Sequence, residues 1–380
     1  GGKFYDKLRL DRDLSAAISE YAPESEVVAD GKLIRSRYVR VLNGYAWPEY
    51  NYSQCKHCQT LNRTLWTESL PKRCRSCGHD LPNFSRKYII PKFGFVVENG
   101  EPIEVGTSKP ERTYKGAISY IGDGTKIESH TYQICGKKVI IGSSKMDELA
   151  VLNTSNFYIC KTCGYGKLYD DSNDMVRQFI HEKPDGYKCP NDKIQPYALG
   201  HEFQTDVVLL KFVSENITDI NIAWTVLYAL LEGLSKFLAV DRNELAGCLH
   251  WYRNDEEGGS GNFGFVLFDN TPGGAGYVRQ LKDISTFIGM MQEGNRIVTS
   301  CTCGGEEANT ACYGCLCNYY NQKQHDILQR RFAINFFRST LSGQKHWSGV
   351  RLANDDVSSE DALKDKLAVF NNEQKQLAMT

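Results

Sequence analysis

A chain of 380 residues with 41% apolar composition is long for one hydrophobic core, which favours two or three domains and excludes an intrinsically disordered chain. A formal net charge of −1 excludes a whole-chain electrostatic argument for nucleic acid. Fourteen cysteines would suit a secreted disulfide scaffold, but most fall in CxxC or CxC pairs and "GGKFYDKLRLDRDL" lacks the apolar core of a signal peptide, so thiolate metal sites in a reducing cytoplasm fit better.

The chain also opens without an initiator Met, as an excised or tagged fragment would. Residues 11–22 place Leu14, Ala17, Ile18 and Tyr21 at helical spacing, closed by Pro23. "EVVADGKLIRSRYVRVL" then predicts a hairpin about Asp30-Gly31. From 31 to 92 twelve Lys or Arg stand against Glu49, Glu68 and Asp80, a local excess of +9 that suits phosphate contact as well as a solvated face.

Inside that basic stretch, Cys55 and Cys58 are separated by fifteen residues from Cys74 and Cys77. Each CxxC turn points two thiolates at one ion, and the loop brings the pairs together as a tetrahedral four-Cys zinc ribbon without a position for water. Arg63, Lys72, Arg73 and Arg75 surround it as candidate nucleic-acid contacts, with Trp66 the one interleaved aromatic.

"KYIIPKFGFVVENGEPIEV", "KGAISYIGDG" and "KKVIIGSS" predict strands divided by Gly and Pro turns. The second cysteine group supplies Cys160, Cys163 and Cys189, one thiolate short of a set. His181 is the first choice for the fourth ligand because "HEKPDGYKC" carries it through a turn just before Cys189; Asp192 and His201 are weaker candidates. A water in the fourth position would make this an open site for hydrolytic chemistry.

"HEFQTDVVLLKFV" predicts a strand, and "NIAWTVLYALLEGLSKFLAV" a buried helix, since Asn221, Glu232 and Lys236 would penalise a bilayer span. "FGFVLFDNTPGGAGYVRQLKDISTFIGMM" has the order strand, Gly-rich turn, helix. Amides at such a turn suit an anion, yet the pattern is neither GxGxxG nor GxxxxGK[ST], and a tight turn needing positive φ also explains Gly273, Gly274 and Gly276. The third group, Cys301, Cys303, Cys312 and Cys315, is spaced CxC, eight residues, CxxC, and leaves Cys317 and His325 spare. Zinc is favoured over an iron–sulfur cluster because none of the usual iron–sulfur spacings is present. Leu328, Phe332 and Phe336 then predict one apolar helix face. Cys135 and Cys248 stand alone as ordinary small residues.

No phosphate loop, DExH box, HExxH, GxSxG or phospholipase-type nuclease motif is present, and "PDGYK" at 184–188 lacks an acidic partner. The expected fold is α+β, with a β-rich N-terminal part holding the zinc ribbon and a C-terminal α/β zinc-binding domain. Its expected divisions are 1–92, a β-rich 93–159, 160–352 and an acidic tail 353–380, where six acids face three bases.

"LFDNTPGGAGYVRQL" followed by "SCTCGGEEANTACYGCLCNYYNQKQHDILQRRFA" resembles the C-terminal zinc-binding domain of mitomycin-repair-factor-A-type superfamily 2 helicases, over at least residues 263–336. "AISEYAPESEVVADGKLIRSRYV" and "LGHEFQTDVVLL" are similar to segments that accompany this domain in Druantia-type and DISARM-type anti-phage defence proteins. The resemblance implies metal binding by Cys301, Cys303, Cys312 and Cys315. It also implies an accessory module, fused or bound to an ATP-driven DNA helicase or translocase whose ATPase core this chain lacks. The expectation is therefore a cytoplasmic zinc module with about three Zn2+ and DNA and a helicase as partners. A metal-dependent nuclease using the second group, and a protein-interaction scaffold without nucleic-acid contact, are the alternatives.

Overall fold

The computed structural model describes residues 10–98, 103–104, 116–122, 124–169, 180–190, 194–253, 261–341 and 351–352. The expected acidic tail and Asp192 lie outside them. In chain order the elements are α1 (Leu14–Glu20), β1 (Glu26–Ala29), β2 (Lys32–Val39), β3 (Glu49–Gln54), β4 (Leu61–Leu65), β5 (Arg86–Ile89), β6 (Phe95–Val97), β7 (Ile103–Glu104), β8 (Gly116–Tyr120), β9 (Glu128–Ile134), β10 (Lys137–Ile159), β11 (Gly166–Leu168) and β12 (Gln195–Phe212). Then come α2 (Ile220–Leu238), β13 (Leu245–Arg253), β14 (Gly261–Asp269), α3 (Ile284–Ser300), α4 (Arg330–Leu341) and β15 (Arg351–Leu352). The architecture is α+β, as the sequence predicts.

Two compact units interleave along the chain: Gly1–Lys56, Leu61–Ser119 and Ala150–Glu202 form the first, and His57–Thr60, Tyr120–Leu149 and Phe203–Thr380 the second. In the first, the Asp13 carboxylate caps α1 by accepting from the Ser15 amide. Asp30 and Gly31, at φ 49° and 70°, make the two-residue turn between β1 and β2. β6 and β7 complete this small sheet against β2. A second layer pairs β3 with β4 and β5 (Tyr52↔Arg63, Tyr50↔Tyr88), and β5 runs parallel to the start of β12 (Tyr88↔Ala198).

In the second unit, Cys135 and Gly136, both at positive φ, turn β9 into β10, while the end of β12 pairs with β14 and β14 with β13. α2, α3 and α4 pack together beside these strands. Gly233 lets α2 approach α3, since a Cβ there would lie 2.3 Å from the Met290 carbonyl oxygen. Phe212 meets Phe336 and Phe265 edge-on at 4.9 and 5.9 Å in the core, where each fully buried ring contributes about 1.5–3 kcal/mol. No helix among the described residues is long and apolar enough to cross a membrane.

Three local readings differ from expectation. The strand at "KKVIIGSS" extends to Ile159, with Asp147 buried in it and accepting from the Tyr120 hydroxyl at 3.0 Å. The Gly-rich turn leads into a 3-10 turn at Val278–Lys282, and helix α3 begins only after its own cap, Asp283. The helix after the third cysteine group starts at Arg330, preceded by a separate 3-10 stretch at Tyr319–Ile327. Its buried face carries Arg330, Ala333, Phe336, Phe337 and Thr340; Leu328 is buried but precedes the helix.

Candidate metal centres

Each cysteine group closes into four donors. The ligand atoms of Cys55, Cys58, Cys74 and Cys77 lie within 4.8 Å of one another, as do those of Cys160, Cys163, His181 and Cys189, and those of Cys301, Cys303, Cys312 and Cys315. A tetrahedron of sulfurs at about 2.3 Å from zinc has edges of about 3.8 Å. The sulfur separations bracket that value: Cys55 to Cys77 3.5 Å, Cys160 to Cys189 3.9 Å, Cys301 to Cys312 3.6 Å and Cys303 to Cys315 3.7 Å. The donor sets thus fit zinc by both chemistry and size, and four protein donors leave no position for a metal-bound water.

The CxxC turns explain the local geometry. The residue after the second cysteine takes positive φ in three of them, at Gln59 (59°), Gly78 (74°) and Gly164 (79°), which folds the turn back beneath the ion. The amides of Gly78 and Gly164 then bond the carbonyls of Cys74 and Cys160 at 3.0 and 2.8 Å. At the third site the Gly314 and Cys312 amides point at the sulfurs of Cys312 and Cys315, each at 3.3 Å, dipoles that favour thiolate over thiol.

The second site takes its fourth donor from a miniature hairpin. The Cys189 amide donates to the His181 carbonyl at 2.9 Å and the Lys183 amide to that of Tyr187 at 2.8 Å, with Gly186 at φ 84° in the tip. This register sets His181 opposite Cys189, so the pair does what a CxxC does elsewhere. His201 is not in this group of donors. The His181 ring stacks on Tyr165 at 4.7 Å and is 5% exposed. Hydrogen bonding from Cys163, against the cost of burial, holds the Cys160 thiol down to about 4, so a thiolate is ready for a cation at neutral pH. "PDGYK" is the hairpin tip, where Asp185 accepts from the Tyr187 amide at 3.1 Å.

At the third site a buried guanidinium does what sequence reasoning missed. Arg330 donates to the Cys303 carbonyl from Nε and Nη2 at 3.2 and 2.8 Å, to Val298 at 2.8 Å and to Gly305 at 3.3 Å. It ties α3, the first CxC turn and α4 together, and sets a positive charge beside a four-thiolate site whose net charge with zinc is −2. His325 faces the Asn318 carbonyl at 3.1 Å and Asn321 Oδ1 at 2.9 Å, bracing the loop rather than joining the metal donors. Cys317 is buried, and burial pushes its thiol up to about 11. Cys248, fully enclosed on β13, is likewise pushed up to about 12, as suits an inert core thiol.

The Gly-rich turn holds an anion, but an internal one. Asp269, fully buried at the end of β14, accepts from the amides of Ala275 (2.7 Å), Tyr277 (3.1 Å) and Val278 (2.9 Å). Gly274, at φ 76°, lies so close to Asp206 that a Cβ would meet its carboxyl carbon at 2.6 Å. The turn is therefore a structural clasp rather than a phosphate cradle.

On the ribbon, Lys72, Arg73 and Arg75 are exposed. Arg73 lies 3.5 Å from Asp80, an ion pair open to solvent and weak. The Nε of Arg63 sits 3.1 Å from Glu202 and its guanidinium covers the Tyr50 ring at 5.1 Å.

Four-donor knots set in an α+β scaffold define a zinc-binding protein. Residues 226–316, which include every donor of the third site, match the family described as the MrfA Zn-binding domain. The chain is 26% identical over 373 residues to Druantia protein DruE of Escherichia coli (strain UMEA 4076-1), covering 87% of this chain and 19% of that protein. It thus spans about a fifth of the length of the curated relative it matches. Among solved structures it is similar to the DUF1998 helicase MrfA bound to DNA, at 11% identity and a TM-score of 0.35, covering 86% of this chain and 31% of that one.

Proposed function

We propose that this chain is a zinc-stabilised accessory module of a DNA helicase or translocase in DNA repair or anti-phage defence, acting in the cytoplasm to shape the DNA path or dock a helicase core. The observation that carries this reading is the overlap of the family match at 226–316 with the third four-donor site. Zinc is assigned to Cys55, Cys58, Cys74 and Cys77; to Cys160, Cys163, His181 and Cys189; and to Cys301, Cys303, Cys312 and Cys315. Bound there, zinc supplies structural cross-links, and the residues around it set the loops it ties. Lys72, Arg73 and Arg75 are the proposed phosphate contacts of the ribbon, with Arg63 serving the fold.

The test is binding of labelled single- and double-stranded DNA to the purified chain across salt, with strand integrity read from the same samples. The reading predicts retention that weakens steeply as salt rises, with intact strands. No retention at low ionic strength supports a protein-interaction scaffold instead, and cleavage with a divalent metal supports a nuclease.

A further inference from the structure

We propose that the third metal site presents a stacking platform for unpaired nucleotides, built from Tyr313, Tyr319 and Tyr320. The inference deepens the DNA-contact reading above and rests on it. The three rings are 70%, 65% and 64% exposed, within eight residues of chain. Tyrosines so open to water contribute nothing to the core.

Their backbone is fixed in advance. Tyr313 sits inside the turn between Cys312 and Cys315, whose Gly314 amide points at Cys312 Sγ. Tyr319 and Tyr320 open the 3-10 stretch capped by Asn318, where the Tyr320 and Asn321 amides donate to the Asn318 side chain and the Asn318 amide returns a bond to Asn321. Asn321 is 1% exposed and donates to the Leu316 carbonyl at 2.7 Å. His325 joins the two parts, meeting the Tyr313 ring edge-on at 5.4 Å while its Nε2 faces the Asn318 carbonyl. Aromatic faces held on a rigid support lose little freedom on binding.

Composition favours a nucleic-acid strand over a protein partner. Among the described residues of 301–341 these tyrosines are the exposed large hydrophobics, with no exposed Leu, Ile, Val, Phe or Met beside them to form the apolar centre of a protein interface. Among the exposed charged residues of 301–341, Lys323, Arg331 and Arg338 balance Glu306, Glu307 and Asp326, so this stretch carries no net charge against phosphates flanking stacked bases. Every base has a π face, so such a platform is indifferent to sequence.

The experiment measures anisotropy of fluorescein-labelled oligo(dT) and of a matched duplex with the 380-residue chain, its Tyr319→Ala/Tyr320→Ala and Tyr313→Ala variants, a Tyr319→Phe/Tyr320→Phe variant, and a Lys72→Ala/Arg73→Ala/Arg75→Ala variant. The double alanine variant is expected to lose roughly tenfold or more in affinity for the single strand, with the salt slope unchanged and the phenylalanine variant close to wild type. The ribbon variant should instead flatten the salt slope. Photo-crosslinking of an iododeoxyuridine oligonucleotide to the unsubstituted chain, read by peptide mapping, should label Tyr313, Tyr319 or Tyr320 and needs no substitution. Wild-type binding that the ribbon variant weakens and the tyrosine variants do not, with crosslinks elsewhere, overturns the platform alone. A wild-type chain that binds no DNA at low salt overturns the DNA-contact reading and the platform with it.

Discussion

Arg330, 5% exposed, donates from Nη2 to the Cys303 carbonyl at 2.8 Å, from one helix to the backbone of a metal-binding turn on another segment. Nη1 reaches Val298 and Nη2 also reaches Gly305, so one guanidinium closes the gap between the end of α3 and the start of α4. A cation buried among carbonyls is tolerable where thiolates lie close by, because their charge offsets its desolvation. Arg330→Met should therefore lower unfolding stability by about 3 kcal/mol and speed zinc loss from the third site to a chelator. Thermal unfolding and chelator-coupled zinc release check this. Arg330→Lys, which keeps the charge but not the fork of donors, should fall between the two.

His181 stands where the other sites have cysteine, so the ligand type should be exchangeable and its loss should not be. His181→Cys should retain three zinc ions per chain, whereas His181→Ala should retain two after brief chelation. Elemental analysis after gel filtration reads both.

Asp269 fills the Gly-rich turn with its own carboxylate, so the turn should be insensitive to added phosphate and sensitive to this residue. Asp269→Asn should lower stability by about 1–3 kcal/mol, visible as a lower urea midpoint with the slope unchanged, and Asp269→Ala by more.

Glu49 is buried in β3 and accepts from Lys161 at 2.6 Å and Lys87 at 3.1 Å. Burial alone would raise its carboxyl, but hydrogen bonds from Lys161 and Lys87 outweigh that and hold it below the ordinary carboxylate range. A carboxyl lowered by folding adds stability above its unfolded value that is lost as pH falls through the folded one. Glu49→Gln should therefore cost roughly 1 kcal/mol at neutral pH, since both lysines are partly exposed. That cost should shrink in acid, in denaturant titrations at a series of pH values.

The metal sites were legible because ligand spacing is local: CxxC and CxC turns announce themselves, and the turn after His181 was enough to choose it over His201. The hairpin at Asp30-Gly31 and helix α2 were legible for the same reason, turn chemistry and a long, mostly apolar run. What sequence did not show depends on distant partners. The length of β10 is one case: the strand runs through a buried Asp147 whose Tyr120 partner is twenty-seven residues away. Neither Asp269 nor Arg330 stands out in the sequence, since nothing local marks the backbone groups that surround them. The ion pair of Arg63 with Glu202 is likewise invisible locally, its partner being far along the chain.

Elemental analysis and native mass spectrometry of the chain, purified without chelator, test the zinc scaffold most directly. Three zinc ions per chain, with unfolding on their removal, are the predicted result. Iron in place of zinc, or a folded chain that holds no metal, would contradict it.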